Sequence, residues 1–372
     1  MKIAYALTII AGTCIGVGFF VLPYVTLKVG FWVMLGYFLV LGGLVIAIHM
    51  FFGELALKTP DFKRLPGFAK LYLGNWGYRV AYISTIFGIL GAILVYLIVG
   101  GEFLADLFLP VFGGSSLFYT LLYFTAGALL IFFGIKAIAK VEFWALLLFF
   151  LILFIIFFQG RPLLDVNNLF PAPDKSFLFL PYGIILFSLW GATMIPEVEE
   201  MLGEKRKLIL KIIPFAILIP IIVYLFFIYL ILGITGLGTT ESALIGLRNV
   251  LDDKLVSLAL VFGILTTFTS FIALGLTLKK VFYFDLKMNE KLSWVITCFV
   301  PLILFLIGIK SFIPIISLIG GVMLGTEGIL ILLMCRKMHI KLKYSGLKCL
   351  LIYPLILIFL VGIIYEIIYF VK

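Results

Sequence analysis

Residues 3–26 contain no Asp, Glu, Lys or Arg, and ten further stretches are nearly as apolar: 30–53, 79–108, 117–135, 140–160, 177–200, 209–233, 255–280, 292–309, 312–335 and 347–370. In hydrocarbon, backbone groups must be satisfied within the segment, so runs of about 20 apolar residues cross as helices. Outer-membrane strands would alternate in segments of about ten residues, and these stretches do not. A chain that is 64% hydrophobic and 12% charged lacks the polar coat of a soluble domain. The expectation is an all-α polytopic membrane protein with eleven transmembrane helices. The first stretch is too long, and lacks a cleavage site, to be read as a removable leader.

The basic residues test that count. With the N-terminus inside, the outside segments hold Lys28, Arg161, Lys175, Arg248, Lys254, Lys310 and Lys372, and the other 21 of 28 fall inside. This asymmetry supports the span count and predicts the N-terminus cytoplasmic and the C-terminus outside; a multi-pass protein of the cell's inner (plasma) membrane is expected. A net charge of +10 would suggest nucleic acid in a soluble protein. Here the charges lie between spans, so orientation and lipid head groups account for them and no nucleic-acid partner is expected. Cys14, Cys298, Cys335 and Cys349 form no C-x-x-C pair, and His49 and His339 lie far apart. That spacing supports neither a usual metal site nor a disulfide framework.

Two loops carry pattern. Residues 61–76 mix basic and aromatic side chains and read as an interfacial segment. In 239–253, a threonine cap and Glu241 precede a helical stripe of Ala243, Leu244, Leu247, Val250 and Leu251. That predicts a short amphipathic helix, either a lid or a passive surface element.

The stretch Ala11–Pro23 places Gly12, Gly16, Gly18 and Pro23 inside the first span. Each interior glycine costs a helix roughly 1 kcal/mol relative to alanine. Close helix packing through Gly12-x-x-x-Gly16 is one explanation. Span 6 supplies another, because Ser188, Gly191, Thr193 and Pro196 cluster past its middle, followed by Glu197, Glu199 and Glu200. Spans 1 and 6 are equivalent if 1–160 and 161–335 are two five-span halves of opposite orientation, with 336–372 adding span 11. Paired interruptions at matching places point to a carrier site between inverted repeats. Free amides at one half-helix end suit a carboxylate, and free carbonyls at the other suit an ammonium group or a cation.

"GTCIGVGFFVLP" (12–23), "GAILVYLIVGGEFLADL" (91–107) and "LWGATMIPEVEEML" (189–202) resemble the first, third and sixth spans of the amino acid/auxin permease family, within the amino acid–polyamine–organocation superfamily. Bacterial hydroxy and aromatic amino acid permeases are similar at the same three places. The resemblance implies the leucine-transporter fold, a 5+5 inverted repeat with helices 1 and 6 broken, and a secondary active transporter importing amino acids by alternating access. It implies that Thr13, Cys14, Gly16, Val17 and Gly18 hold the substrate carboxylate, that Phe187, Ser188, Trp190 and Gly191 meet its amine and side chain, and that Tyr96 lines the site. With Phe19, this apolar lining suggests a neutral hydrophobic or aromatic substrate.

The resemblance also implies a Na⁺ site built from the carbonyls of Gly12 and Ile15 and the span-8 hydroxyls of Thr266, Thr269 and Ser270, which share a helix face. Proton-coupled relatives place a lysine from span 5 in that space. Span 5 here has none beyond Lys140 at its start, so Na⁺ coupling is expected, with H⁺ as the alternative and no other cofactor. Glu327 and Glu102 are coupling candidates, and Glu54 and His49 lie towards the inner end of span 2. A channel, a non-transporting sensor and a membrane enzyme are the rivals. The channel lacks rings of selectivity groups, the sensor lacks signalling tails, and the enzyme lacks clustered histidines or metal ligands.

Overall fold

Span 1 begins as a helix, Lys2–Cys14, stops, and resumes as a 3-10 turn, Val17–Val21, and a second helix, Leu22–Val29. The two parts bend by 48°. The computed structural model describes residues 2–60, 63–134, 138–341 and 347–371. Span 2 is Phe31–Lys58, span 3 Asn75–Phe112, span 4 Ser116–Phe133 and span 5 Ile138–Gly160. Span 6 is again two pieces, Pro181–Leu189 and Ile195–Leu202, around a 3-10 turn at Ala192–Met194. Spans 7, 8 and 9 are Ile209–Thr235, Asp253–Lys280 and Glu290–Leu306. Span 10 is Phe312–Leu318 and Gly325–Lys341 around a π-helical turn, Ile319–Leu324, and span 11 is Leu347–Val371. Among the described residues, helices therefore stand at all eleven places where the hydropathy placed a span. The expected end of span 4 at 135 and residues 61–62 of the interfacial segment lie outside the described residues.

Both interruptions differ from the sequence expectation in one respect. The sequence counts Pro196 with Ser188, Gly191 and Thr193 in the interruption of span 6, yet the break falls at Trp190–Gly191 and Pro196 sits in the first turn of the resumed helix. Pro23 does the same in span 1. A proline there loses no hydrogen bond, because first-turn amides have no intrahelical acceptor, and its fixed φ favours the helical start. The prolines restart the helices that the glycines interrupt.

Spans 1, 2, 6 and 7 pack together as one body, and spans 3, 4, 8 and 9 as another. Span 3 is 38 residues, about 57 Å, and projects beyond a hydrocarbon layer of about 30 Å. The face bearing residue 2 is called the N-side below, and the opposite face the far side. On the N-side, the expected interfacial segment is a helix, Leu65–Leu73, with Phe68 fully buried against Phe52. Arg64 at its start reaches Glu197 of span 6 at 2.7 Å.

The 239–253 segment corrects the expectation of an amphipathic α-helix. It holds only a 3-10 turn, Ile245–Asn249, after Ala243 at φ 56°. Thr240 caps the Gly246 amide through its hydroxyl, which favours a tight turn over a regular helix. The apolar stripe still does its predicted work in part, since Ala243, Leu244 and Leu247 are buried.

Candidate functional site

The broken ends meet. The Cys14 thiol donates to the Leu189 carbonyl at 3.3 Å, which ties the end of the first half-helix of span 1 to that of span 6. Cys14 is 2% exposed, so its sulfur faces span 6 and not an opening. The Tyr224 hydroxyl of span 7 lies 2.5 Å from the Cys14 carbonyl oxygen and 2.8 Å from that of Ser188. A helix end leaves carbonyls without intrahelical donors, and unpaired carbonyls at this depth cost several kcal/mol each.

The other sides of the breaks are lined by the residues the sequence singled out. A Cβ on Gly16 would meet the Tyr96 hydroxyl at 2.5 Å, so Tyr96 rests on bare backbone. A Cβ on Gly18 would collide with Ser188 and with Phe187, at 2.9 Å from the Phe187 ring. The Gly191 backbone faces Ile10 and Cys14. Gly16, Gly18, Tyr96, Phe187, Ser188 and Gly191 thus form one cluster, with Val17 buried beside them. The turn Val17–Val21 has no side-chain cap at Gly16, and the amides of Val17 and Gly18 lack intrahelical acceptors by position. Thr13 is exposed, and its hydroxyl donates back to Ile9.

Trp190 stands apart from that cluster. Its indole N–H donates to Glu327 Oε2 of span 10 at 3.1 Å, and its ring lies edge-on to His49 and Phe359. Thr85 of span 3 donates to the other Glu327 oxygen at 3.1 Å. Glu327, 3% exposed, therefore joins spans 3, 6 and 10.

His49 corrects the sequence reading. It was placed towards the inner end of span 2, but that span runs on to Lys58 and carries His49 about two and a half turns inside it. There its Nε2 accepts the Gly191 amide at 3.0 Å while Nδ1–H donates to the Val45 carbonyl at 2.8 Å. Because Gly191 N–H can only donate, Nε2 carries no proton and the imidazole is neutral. Tyr224 is the site residue that sequence reasoning missed, since it looks no different from neighbouring Tyr229. His49 stood out as an ionisable group in an apolar span, but nothing in the sequence pointed to Gly191 as its partner.

Of the residues expected to hold Na⁺, Gly12 has open space beside it, Ile15 and Thr269 are buried, and Thr266 and Ser270 are half-buried. Thr269 donates to the Thr266 carbonyl at 3.2 Å. Glu102 is half-buried and lies nearly three turns short of the far end of span 3.

On the far side of the breaks, five buried rings close the bundle. Phe19 packs tilted against Phe227 at 3.8 Å between centroids, and Phe20 meets Phe103, Phe227 and Phe262. Leu244 and Leu247 lie buried beyond them, and Arg248 clamps Asp106 of span 3 through its carboxylate and its carbonyl, both at 2.9 Å. On the N-side, by contrast, Thr13 and Thr193 are exposed. Arg248→Ala is expected to loosen the far-side closure by about 1 kcal/mol, or roughly fivefold in population. The thiol-labelling rate of a Leu244→Cys variant, with and without Arg248, measures it. Equal rates would show that the clamp holds nothing shut.

Over residues 1–369 the sequence matches the family described as the tryptophan/tyrosine permease family. No curated protein matches it. Among solved structures, MhsT in complex with L-phenylalanine has a TM-score of 0.62 at 14% identity, with 98% of each chain covered. Mhp1, a nucleobase-cation-symport-1 family transporter, in its closed conformation with bromovinylhydantoin bound, gives 0.64 at 13%, covering 98% of this chain and 91% of that one. The inward facing conformation of Mhp1 gives 0.66 at 13%, covering 93% and 78%. At such identities the likeness establishes the fold, that of the leucine transporter with spans 1 and 6 broken.

Proposed function

The chain belongs to the tryptophan/tyrosine permease family, a family of amino acid transporters, and we propose that it imports a neutral, hydrophobic or aromatic amino acid coupled to Na⁺. The observation that carries the reading is the meeting of the two broken spans. Amides of Val17 and Gly18 at the start of one half-helix lie beside carbonyls at the ends of two others. A zwitterion needs both ends at once. Thr13, Cys14, Gly16, Val17 and Gly18 form the carboxylate side of this reading, and Phe187, Ser188 and Gly191 the amine and side-chain side, with Tyr96 over the pocket and Trp190 set behind the break against Glu327 and His49. The body of spans 1, 2, 6 and 7 then rocks against that of spans 3, 4, 8 and 9 about the site. The basic-residue asymmetry supports a cytoplasmic N-side, and the plasma membrane is the membrane this reading assigns. Exposure of Thr13 and Thr193 on that side, against five buried rings on the other, supports an inward-open resting state.

Na⁺ coupling rests on Gly12, Ile15, Thr266, Thr269 and Ser270, an all-oxygen set suited to a hard cation, and on the absence of a span-5 lysine beyond Lys140. Glu327 favours H⁺ as a second reading, because a buried carboxylate held by the neutral donors Trp190 and Thr85 can exchange a proton without unpairing an ion pair. Uptake of labelled amino acids into proteoliposomes tests both. Replacing Na⁺ with choline is expected to slow uptake at least tenfold at fixed pH. Uptake that ignores Na⁺ but falls steeply as the pH gradient is removed transfers the coupling to H⁺, with Glu327 as its candidate carrier. A protein that shows no saturable counterflow with any amino acid is not a carrier of them.

A further inference from the structure

We infer that the Tyr224 hydroxyl is a built-in substitute for a bound cation, holding the carbonyl ends of spans 1 and 6 together from span 7. Cys14 is the last residue of Lys2–Cys14, and Ser188 the next-to-last of Pro181–Leu189. Each helix end carries about half a negative charge on carbonyls that lack intrahelical donors. Two such ends turned towards one point repel each other and need something positive between them. The Tyr224 oxygen occupies that point, at 2.5 Å from one carbonyl and 2.8 Å from the other. The phenol brings one proton to two acceptors. The Gly16 amide donates to the Cys14 carbonyl at 2.8 Å, so the Ser188 carbonyl depends on Tyr224 the more heavily.

The phenol is held in place by its own packing. Tyr224 is wholly buried, with its ring 5.8 Å from that of Phe19 and 6.2 Å from that of Phe38. Spans 1 and 2 therefore fix the ring, and the ring fixes the oxygen. An alkali cation between the same carbonyls would have to be recruited from water on every cycle. A tethered hydroxyl is always present, weaker in charge but free of that cost. It keeps the two breaks in register whether or not substrate or ion is bound. Tyr224 is thus a positioning residue. It acts on Cys14 and Ser188, not on the coupling-ion residues of span 8. The inference rests on the transport reading above for its functional half only.

Tyr224→Phe tests it, because the ring stays and only the donor goes. Uptake by reconstituted variant and wild type is measured at graded NaCl, with choline chloride keeping ionic strength constant. Labelling of Cys14 by a small thiol reagent is read on the same samples by mass spectrometry of its peptide. The variant is expected to elute as wild type, to lose about tenfold in maximal uptake rate at low Na⁺, and to regain much of it as Na⁺ rises and fills the gap. Wild type is expected to rise less steeply. Cys14 labelling is expected to speed up about tenfold in the variant at low Na⁺ and to slow again at high Na⁺. A merely structural tyrosine would give a loss that no cation repairs.

Wild-type uptake together with unchanged Cys14 labelling in Tyr224→Phe would overturn the inference. A wild type that carries no amino acid sinks the transport reading instead, and Cys14 labelling then still decides the role of Tyr224. Should Tyr224→Phe fail to fold, Tyr224→Gln returns an N–H donor to the junction. A guarded Cys14 in that variant supports the inference, and a freely labelled one refutes it.

Discussion

Gly320→Ala is expected to be the most damaging single methyl group that can be added to this protein. A Cβ there would run into the backbone carbonyl of Gly183, and would lie 3.0 Å from the Phe187 amide. The reverse addition at Gly183 meets the Ser317 backbone. Spans 6 and 10 thus touch main chain to main chain, where no side chain can swing aside. Overpacking a well-packed interior typically costs 1–3 kcal/mol, and a clash with backbone lies at or beyond the top of that range. The strain falls on Pro181–Leu189, whose end is the break itself. The π-helical turn at Ile319–Leu324 places Gly320 there, and such turns gather at functional positions. The expected result is a thermal midpoint several degrees lower in detergent and uptake reduced by more than tenfold. Gly43→Ala is the control, because nothing lies within 4 Å of a Cβ at that site. It should be neutral, or slightly stabilising from helix propensity alone. If both variants behave alike, the main-chain contact is not a constraint.

His49→Leu is the second. It removes the acceptor of the Gly191 amide while keeping an apolar side chain of similar reach. The amide is then buried without a partner at the centre of the broken span, at a cost of about 1–3 kcal/mol. At 1.36 kcal/mol per tenfold, that is roughly a 5- to 150-fold loss if the break must keep its shape for transport. His49→Gln returns a carbonyl acceptor and is expected to recover most of it. Kinetics in proteoliposomes, beside the melting temperature of each variant, separate a damaged site from a damaged fold. Full transport by His49→Leu would mean that the break is held without the imidazole. The ring also faces Trp190, and through it Glu327, so the two residues of the break are gripped from span 2 and span 10 at once.

Much of this was legible in the residues. The runs of uncharged sequence located eleven crossings, and the glycines of spans 1 and 6 located both interruptions within a few residues. Gly16, Gly18, Tyr96, Phe187 and Ser188 do converge. Pro196 was misassigned because a proline marks a helix boundary without saying on which side of it the break lies. The 239–253 segment was misread because its stripe is compatible with a helix, and only the Thr240 cap on Gly246 and the backbone at Ala243 chose a tighter turn. His49 was read too near the membrane surface because the polar end of span 2 concealed a longer helix. The π-turn in span 10 left no mark beyond a Gly-Gly pair.

Hydropathy and helix propensity are sums over neighbouring residues, so the chain alone determined how many times it crosses the membrane and where the helices fail. It could not determine what satisfies the failed ends. The donors and acceptors that do so lie 210 residues from Cys14 for Tyr224, 142 from Gly191 for His49 and 137 from Trp190 for Glu327. Bonds across such separations exist only once the bundle has closed, because an unpaired group at that depth selects whichever partner the packing brings within 3 Å, and the packing belongs to the tertiary structure.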